Sequence, residues 1–283
     1  MILGSSVIAV KTENAVIYML AAIIIMARKQ ALAILAHDVT HHNFLANRAL
    51  ADLIGNLLLA FPFGAAIEIY REFHYTHHLQ TGTDNDPEQL MMSLHPNWQM
   101  PKNKKNLAKL FVGDLLALNL GDLRRFRKAW SPIDYIMTRR IDALKQYPIM
   151  YLAYFIFSFS LFAALTVSHM WQPFILLWCL PSLTILPLLS RVRALGDHAA
   201  LVGSSPLNIS RNIIASPLER FFFFPCNISY HLVHHLYPSV PFYKLPALHA
   251  ELMKDENYRS LAHNTYGVIF GEKSLLTELT CQA

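Results

Sequence analysis

Two apolar runs set back to back, Pro148 to Met170 and Gln172 to Ser190, restrict this chain more than any other feature. Each has about the ~20 residues a helix needs to cross a bilayer, and only Trp171 and its neighbours separate them. In lipid every backbone N–H and C=O must be satisfied within its own segment, so the runs form a helical hairpin. Two crossings return the chain to the side it left. Everything after Arg191 therefore shares a compartment with the segments before Pro148, while His169, in the turn, lies on the far side. Composition agrees with this: 54% hydrophobic and 15% charged residues, with a mean hydropathy of +0.30, are too apolar for an ordinary soluble domain.

The expectation is an all-α integral membrane helical bundle, one domain over residues 1–283, with a cytoplasmic cap and a polar tail from 251 to 283. Residues 15 to 36 read as one long helix that leaves the bilayer at Arg28-Lys29-Gln30 and delivers His37 to the aqueous boundary. Residues 53 to 70 are apolar but broken by Pro62 and Gly64, which suits a re-entrant or interfacial helical pair. Leu107 to Leu120 reads as a helix lying in the interface.

The net charge of +5 comes largely from Lys102 to Lys145 and marks the cytoplasmic side, not a nucleic-acid surface. Cys179, Cys226 and Cys281 are too scattered for a disulfide framework or a CxxC site. Met1 to Val10 is apolar but only about half of a spanning length, and it lacks the basic start of a cleaved signal.

Histidine is the outlier, with fourteen in the chain. His37-Asp38-Val39-Thr40-His41-His42 is the first cluster, His74-Tyr75-Thr76-His77-His78 the second, and Asn227 to Pro238 holds His231, His234 and His235. The second and third share the spacing HxxHH, which crowds imidazoles onto one helical turn. His37 and His41 stack at i and i+4, whereas His42 points elsewhere. His198, beside Asp197 at the exit of the second crossing, is delivered to the same side and reads as a further ligand. Asp84 and Asp86 follow the second cluster closely enough to receive imidazole N–H groups. His95, His249 and His263 carry no partner spacing and read as structural.

Neutral imidazole suits zinc, copper, iron and nickel, but a single zinc takes at most four protein ligands. So many histidines fit two metals. HExxH is absent, as is the ExxH pairing of carboxylate-bridged di-iron bundles. No glutamate base sits inside a cluster, which weighs against a zinc hydrolase. The clusters adjoin charged segments instead of the membrane midplane, which weighs against a metal transporter.

HDVTHH, HYTHH and NISYHLVHHLYP, in this order and with a two-span hairpin between the second and third, resemble the membrane fatty acid desaturase superfamily over roughly residues 15 to 250. The resemblance implies two Fe ions (a di-iron centre) on the cytoplasmic face, O2 as co-substrate, and two electrons from outside. His37, His42, His74, His77, His78, His198, His231, His234 and His235 match the iron ligands; the family has variants of the first box that use the His41 spacing, so both stay open. Asn227 matches a polar position that acts on the metal through water.

The implied reaction is introduction of a C=C bond into a fatty acyl chain, as acyl-lipid or acyl-thioester; hydroxylation, ketolation or decarboxylation on the same scaffold is the alternative. No His-Pro-Gly-Gly motif of cytochrome b5 is present, so the donor is expected to be a separate protein of ferredoxin, rubredoxin or cytochrome b5 type. The membrane is the inner one if the source is bacterial. Members usually begin with a complete membrane helix, so an upstream extension is expected to add an apolar half-helix before Met1.

Overall fold

The computed structural model describes residues 1–201, 203 and 205–280; Cys281 lies outside them. Among the described residues the chain is helical, apart from one parallel ladder that pairs Asn212 with Asn264 and Ile213 with Thr265. It forms two compact units, Met1–Glu72 with Asp114–Leu189, and Phe73–Gly113 with Ser190–Ala283.

Three helices are long and apolar enough to span a membrane: Ala15–Thr40, Pro148–Val167 and Trp171–His198. The protein is therefore an integral membrane protein, and the hairpin read from the sequence is formed by the last two. In the first unit, Asn14 opens the Ala15–Thr40 helix by accepting from the backbone N–H of Val16 and Ile17 at 2.9 and 3.2 Å. The helix runs unbroken through Arg28-Lys29-Gln30, and Lys29 and Gln30 are buried. The side chains of Lys29 and Gln30 are thus packed within the protein instead of lying on its surface. Lys29 turns inward, and its Nζ donates to Ser182 Oγ at 2.8 Å.

Arg48–Phe63 and Ile67–Gln80 meet at 86°. The bend falls where the sequence places it, since Pro62 has no N–H to donate and Gly64 adopts φ +85°. Asn56, buried at the bend, accepts from Ile67 N and donates to Glu68, which satisfies the first turn of the second arm. Gly55 lets the first arm approach Ala15–Thr40 closely, because a Cβ there would lie 3.0 Å from Val39 Cγ1. Ala36, Val39, Ala51, Leu59, Ala60 and Ile67 close the core at this contact.

In the second unit Leu232, Val233, Leu245 and Tyr258 form the core. Residues 251 to 280, expected to be a polar tail, are folded: Glu256–Leu261 and Leu275–Glu278 are helices, and Asn264–Thr265 is a strand. Tyr258, Thr265, Leu275 and Leu279 are buried within an otherwise polar stretch, and these few contacts anchor it. The expected Leu107 to Leu120 helix is also shorter. It is Lys104–Leu115, followed by a turn in which Ala117 takes φ +56° and a separate helix Leu120–Arg127.

Candidate metal centre

In the first unit the first histidine cluster closes the Ala15–Thr40 helix, with the His37 and His41 rings 5.0 Å apart. Arg71 caps this end: Nε donates to Thr40 O at 2.9 Å while Asp52 holds the guanidinium at 2.6 and 2.8 Å. Cationic capping of terminal carbonyls is favourable and fixes the helix end. His41 is the C-cap with φ −85°, so it keeps the helical face of His37. His42 has φ +59°, which carries it into the left-handed region and off that face. Burial, then the charges of Arg71 and His42, lowers the His41 pKa to about 4, so the ring is neutral.

The second unit gathers seven histidines into two neighbouring groups. His77, His198, His231 and His235 form one; His74, His78 and His234 form the other, and within each group one ligand nitrogen per ring lies within 4.8 Å of the rest. His231 Nε2 is 3.0 Å from both His198 Nε2 and His235 Nε2. His78 Nε2 is 3.0 Å from His74 Nε2 and 3.1 Å from His234 Nε2. The groups touch through His78 and His235, whose rings stack at 4.2 Å.

Local structure explains the convergence. The last turns of Ile67–Gln80 carry His74, His77 and His78; the short helix His231–Leu236 carries the third box; His198 ends Ile185–His198. Gly196 lets that helix approach the ladder, since a Cβ would lie 2.8 Å from Ile213 Cδ1.

Three of the outward nitrogens have hydrogen-bond partners. His77 Nδ1 bonds Asp86 Oδ1 at 2.9 Å, His198 Nδ1 donates to Ile209 O at 3.0 Å, and His235 Nδ1 faces Thr81 Oγ1 at 3.4 Å. Asp197 Oδ1 lies 3.8 Å from His231 Nδ1 and is itself held by Arg193 at 2.9 Å. The three hydrogen-bonded contacts fix ring orientation and leave Nε2 for a metal, whereas His231 Nδ1 makes no hydrogen bond to the described residues. Desolvation, then the neighbouring rings, pushes His231 and His235 well below the ordinary imidazole pKa, which keeps both in the neutral, metal-binding form. Glu88 Oε2, 3.7 Å from His77 Nε2, adds an oxygen beside the same face.

The donor set of neutral imidazoles fits a transition metal, and the converging Nε2 atoms, 3.0 to 3.1 Å apart in the four pairs named, are close enough to share an ion within each group.

Several residues stand apart from the two groups. Asn227, with φ +55°, donates Nδ2 to Phe242 O at 3.2 Å. His249 meets Tyr258 and Asn212, and His263 bonds Glu278 at 2.9 Å, both as structural histidines. Asp84 is exposed while its neighbour Asp86 is buried against His77.

Asp86 tests the anchoring directly. Burial alone would raise its carboxyl pKa; the hydrogen bond and charge of His77 and the N–H groups of Glu88 and Gln89 outweigh this and hold it below the usual range. Asp86→Asn keeps the helix cap on Pro87–Ser93 but removes the charge behind His77. It is expected to lower metal affinity by about 10–100-fold, measured by metal retained during dialysis against a chelator. Unchanged retention would reduce Asp86 to a helix cap.

A family model described as fatty acid desaturase matches residues 14–267. The chain is also 25% identical over 276 residues to the dihydrorhizobitoxine desaturase of Bradyrhizobium elkanii, an alignment covering 93% of this chain and 76% of that protein.

Proposed function

The chain belongs to the fatty acid desaturase family, and from that premise we propose that it is an O2-dependent membrane oxidoreductase that introduces a C=C bond into an acyl chain, as acyl-lipid or acyl-thioester. The observation that carries this reading is the pair of histidine groups with converging Nε2 atoms and anchored Nδ1 atoms. Desaturation is put before hydroxylation, ketolation or decarboxylation because the relative from Bradyrhizobium elkanii is named a desaturase. That name also supports a second reading, in which the substrate is a smaller dihydro compound instead of a membrane lipid.

His77, His198, His231 and His235 would hold one iron. His74, His78 and His234 would hold the other; a three-ligand set calls for more donors, and the family pattern assigns His37 with His41 or His42 to it. Two irons in such a site supply O2 activation with two electrons from a separate donor of ferredoxin, rubredoxin or cytochrome b5 type. The chain's own part is positioning. Asp86, Ile209 and Thr81 orient rings from behind, and Asn227 is assigned a water-mediated role by family pattern alone. Substrate placement is equally strict, since a shift of about 1 Å can cost 10²-fold in rate. The basic stretch Lys102 to Lys145 supports a cytoplasmic metal site, in the inner membrane if the source is bacterial.

Expression in a host, with lipid profiling and metal analysis of the purified protein, tests the proposal. Two irons and a product lighter by two hydrogens are expected. A product that gains oxygen removes desaturation, and one zinc with O2-independent activity removes the oxidoreductase.

A further inference from the structure

Glu88 lies in the first turn of the helix Pro87–Ser93, just after the second histidine box, and its carboxylate faces the metal side of a ring whose other side is already taken. His77 Nδ1 bonds Asp86 Oδ1 at 2.9 Å, and Asp86 Oδ1 also accepts from the backbone N–H of Glu88 at 2.9 Å. This short turn sets one acid behind the ring and another in front of it, where Glu88 Oε2 lies 3.7 Å from His77 Nε2. The same carboxylate is near enough for its charge to act on His198 and on Asp197. Its side chain is 18% exposed against 1% for His77, so it stands at the rim of the group, with torsions free to close on an ion.

Two simpler roles leave this placement unexplained. An acid in the first turn of a helix favours its N-terminus, but that calls for no particular aim, and Asp86 already caps this helix. An ion pair with a doubly protonated His77 would draw together to about 2.7–2.9 Å, as Asp86 does on the other nitrogen of the same ring. At 3.7 Å there is no hydrogen bond. Imidazole nitrogen and carboxylate oxygen each bond a transition ion at about 2.0–2.2 Å, so two ligands of one ion stand at most about 4.3 Å apart. The pair of His77 and Glu88 falls within that limit.

We propose, on the di-metal reading above, that Glu88 is a further ligand of the ion held by His77, His198, His231 and His235, giving one carboxylate oxygen to a set otherwise made of imidazoles. Charge balance supports this. Four neutral rings leave a divalent ion uncompensated in a buried site, where an unpaired charge is costly. Asp86 offsets part of it through His77, while Asp197 is already held by Arg193 at 2.9 Å. Glu88 supplies further negative charge from the rim. A carboxylate on one ion also makes it unlike the ion of His74, His78 and His234, a difference that spectroscopy reads.

The test uses the detergent-purified full chain, loaded with iron enriched in its Mössbauer isotope, and reads the spectrum of each iron and the iron retained during dialysis against a chelator. Wild type is expected to hold two irons with distinguishable doublets. Glu88→Gln, which keeps the shape but not the charge, is expected to move one doublet and to release that iron at least about tenfold sooner, leaving the other as in wild type. Glu88→Asp is expected to recover part of the loss, and Asp84→Asn, at an exposed acid in the preceding loop, to change neither iron. Both doublets and both irons unchanged in Glu88→Gln overturns the proposal, and so does equal loss of the two, which marks a defect of the fold.

Should Glu88→Gln not fold, the infrared difference between iron-loaded and chelator-stripped wild type serves in its place, with glutamate labelled by heavy carbon at its carboxyl. A glutamate carboxylate band that shifts on iron loading and moves with the label is expected; its absence overturns the proposal. Both measurements read bound metal without turnover. A chain whose product gains oxygen, yet which shows Glu88 on one iron, loses the desaturase reading alone. A chain with two irons indifferent to Glu88 loses this proposal alone, and a chain that holds no iron loses both.

Discussion

His198→Ala is expected to cost the purified chain one of its two irons and to reduce product formation by more than about a hundredfold. The bound comes from partners behind a ligand, whose loss costs about 10–100-fold; loss of a ligand costs more. His198 is the most selective choice among the four of its group. Its ring contacts are to His77, His231 and His235, all in that group. His235 is less selective because it also stacks on His78 of the other group.

His74→Ala should remove the complementary iron, and His234→Ala should act with it, since both face His78 Nε2 or its ring. His249→Ala, in contact with Tyr258 instead of either group, should keep both irons. Metal per chain after desalting reads the outcome. Full iron in His198→Ala would dismiss the assignment of that group as a ligand set.

Why the boxes were legible and their supports were not follows from distance along the chain. HxxHH on a helix is a local pattern, and the histidines at 74, 77 and 78 and at 231, 234 and 235 needed only helical periodicity to be read as two ligand-bearing turns. His198 needed the hairpin parity as well, and the two spanning helices after Pro148 supply it. Asp86 was within reach because it follows His77 by nine residues in a turn.

The different backbone directions of His41 and His42 rest on angles, φ −85° against +59°, which no spacing rule contains. Arg211 had no signal at all: it is one basic residue in Leu-Asn-Ile-Ser-Arg-Asn-Ile-Ile, and what it serves lies at 197, 232 and 278. The folding of residues 251 to 280 left little signal for a related reason, since its anchoring depends on a few buried residues that average composition conceals. The burial of Lys29 had no signal in the sequence either, since charge at a helix usually means water and only tertiary packing turns it inward.

Arg211→Met is expected to destabilise the second unit by about 3–5 kcal/mol, the usual cost of removing one partner from a buried ionic network, and to loosen the histidines with it. The side chain is fully buried, its Nη1 lies 3.1 Å from Glu278 Oε2, and its Nη2 donates to Ala199 O. Its backbone joins two ligand-bearing segments: Arg211 N donates to Asp197 O at 3.2 Å, beside His198, and Arg211 O accepts from Leu232 N at 3.1 Å, beside His231. Glu278 also takes bonds from Thr265 at 2.8 Å and His263 at 2.9 Å, so the folded tail is tied to the metal face through one guanidinium.

Methionine keeps most of the volume and the backbone bonds but strands the carboxylate. Glu278→Gln in the Arg211→Met background should therefore recover part of the loss, a coupling read from the double-mutant cycle. Burial alone would raise the Glu278 pKa; the His263 hydrogen bond and the Arg211 charge outweigh it and hold the value below the ordinary carboxylate range. A depressed carboxyl contributes fully above its unfolded pKa, and that contribution is lost as pH falls through the folded one. The wild-type advantage over Glu278→Gln should accordingly hold at neutral pH and shrink on acidification below the carboxylate range. Thermal unfolding in detergent, with iron retention measured alongside, decides the matter. Wild-type stability and full iron in Arg211→Met would show that the backbone bonds alone hold the two ligand segments together.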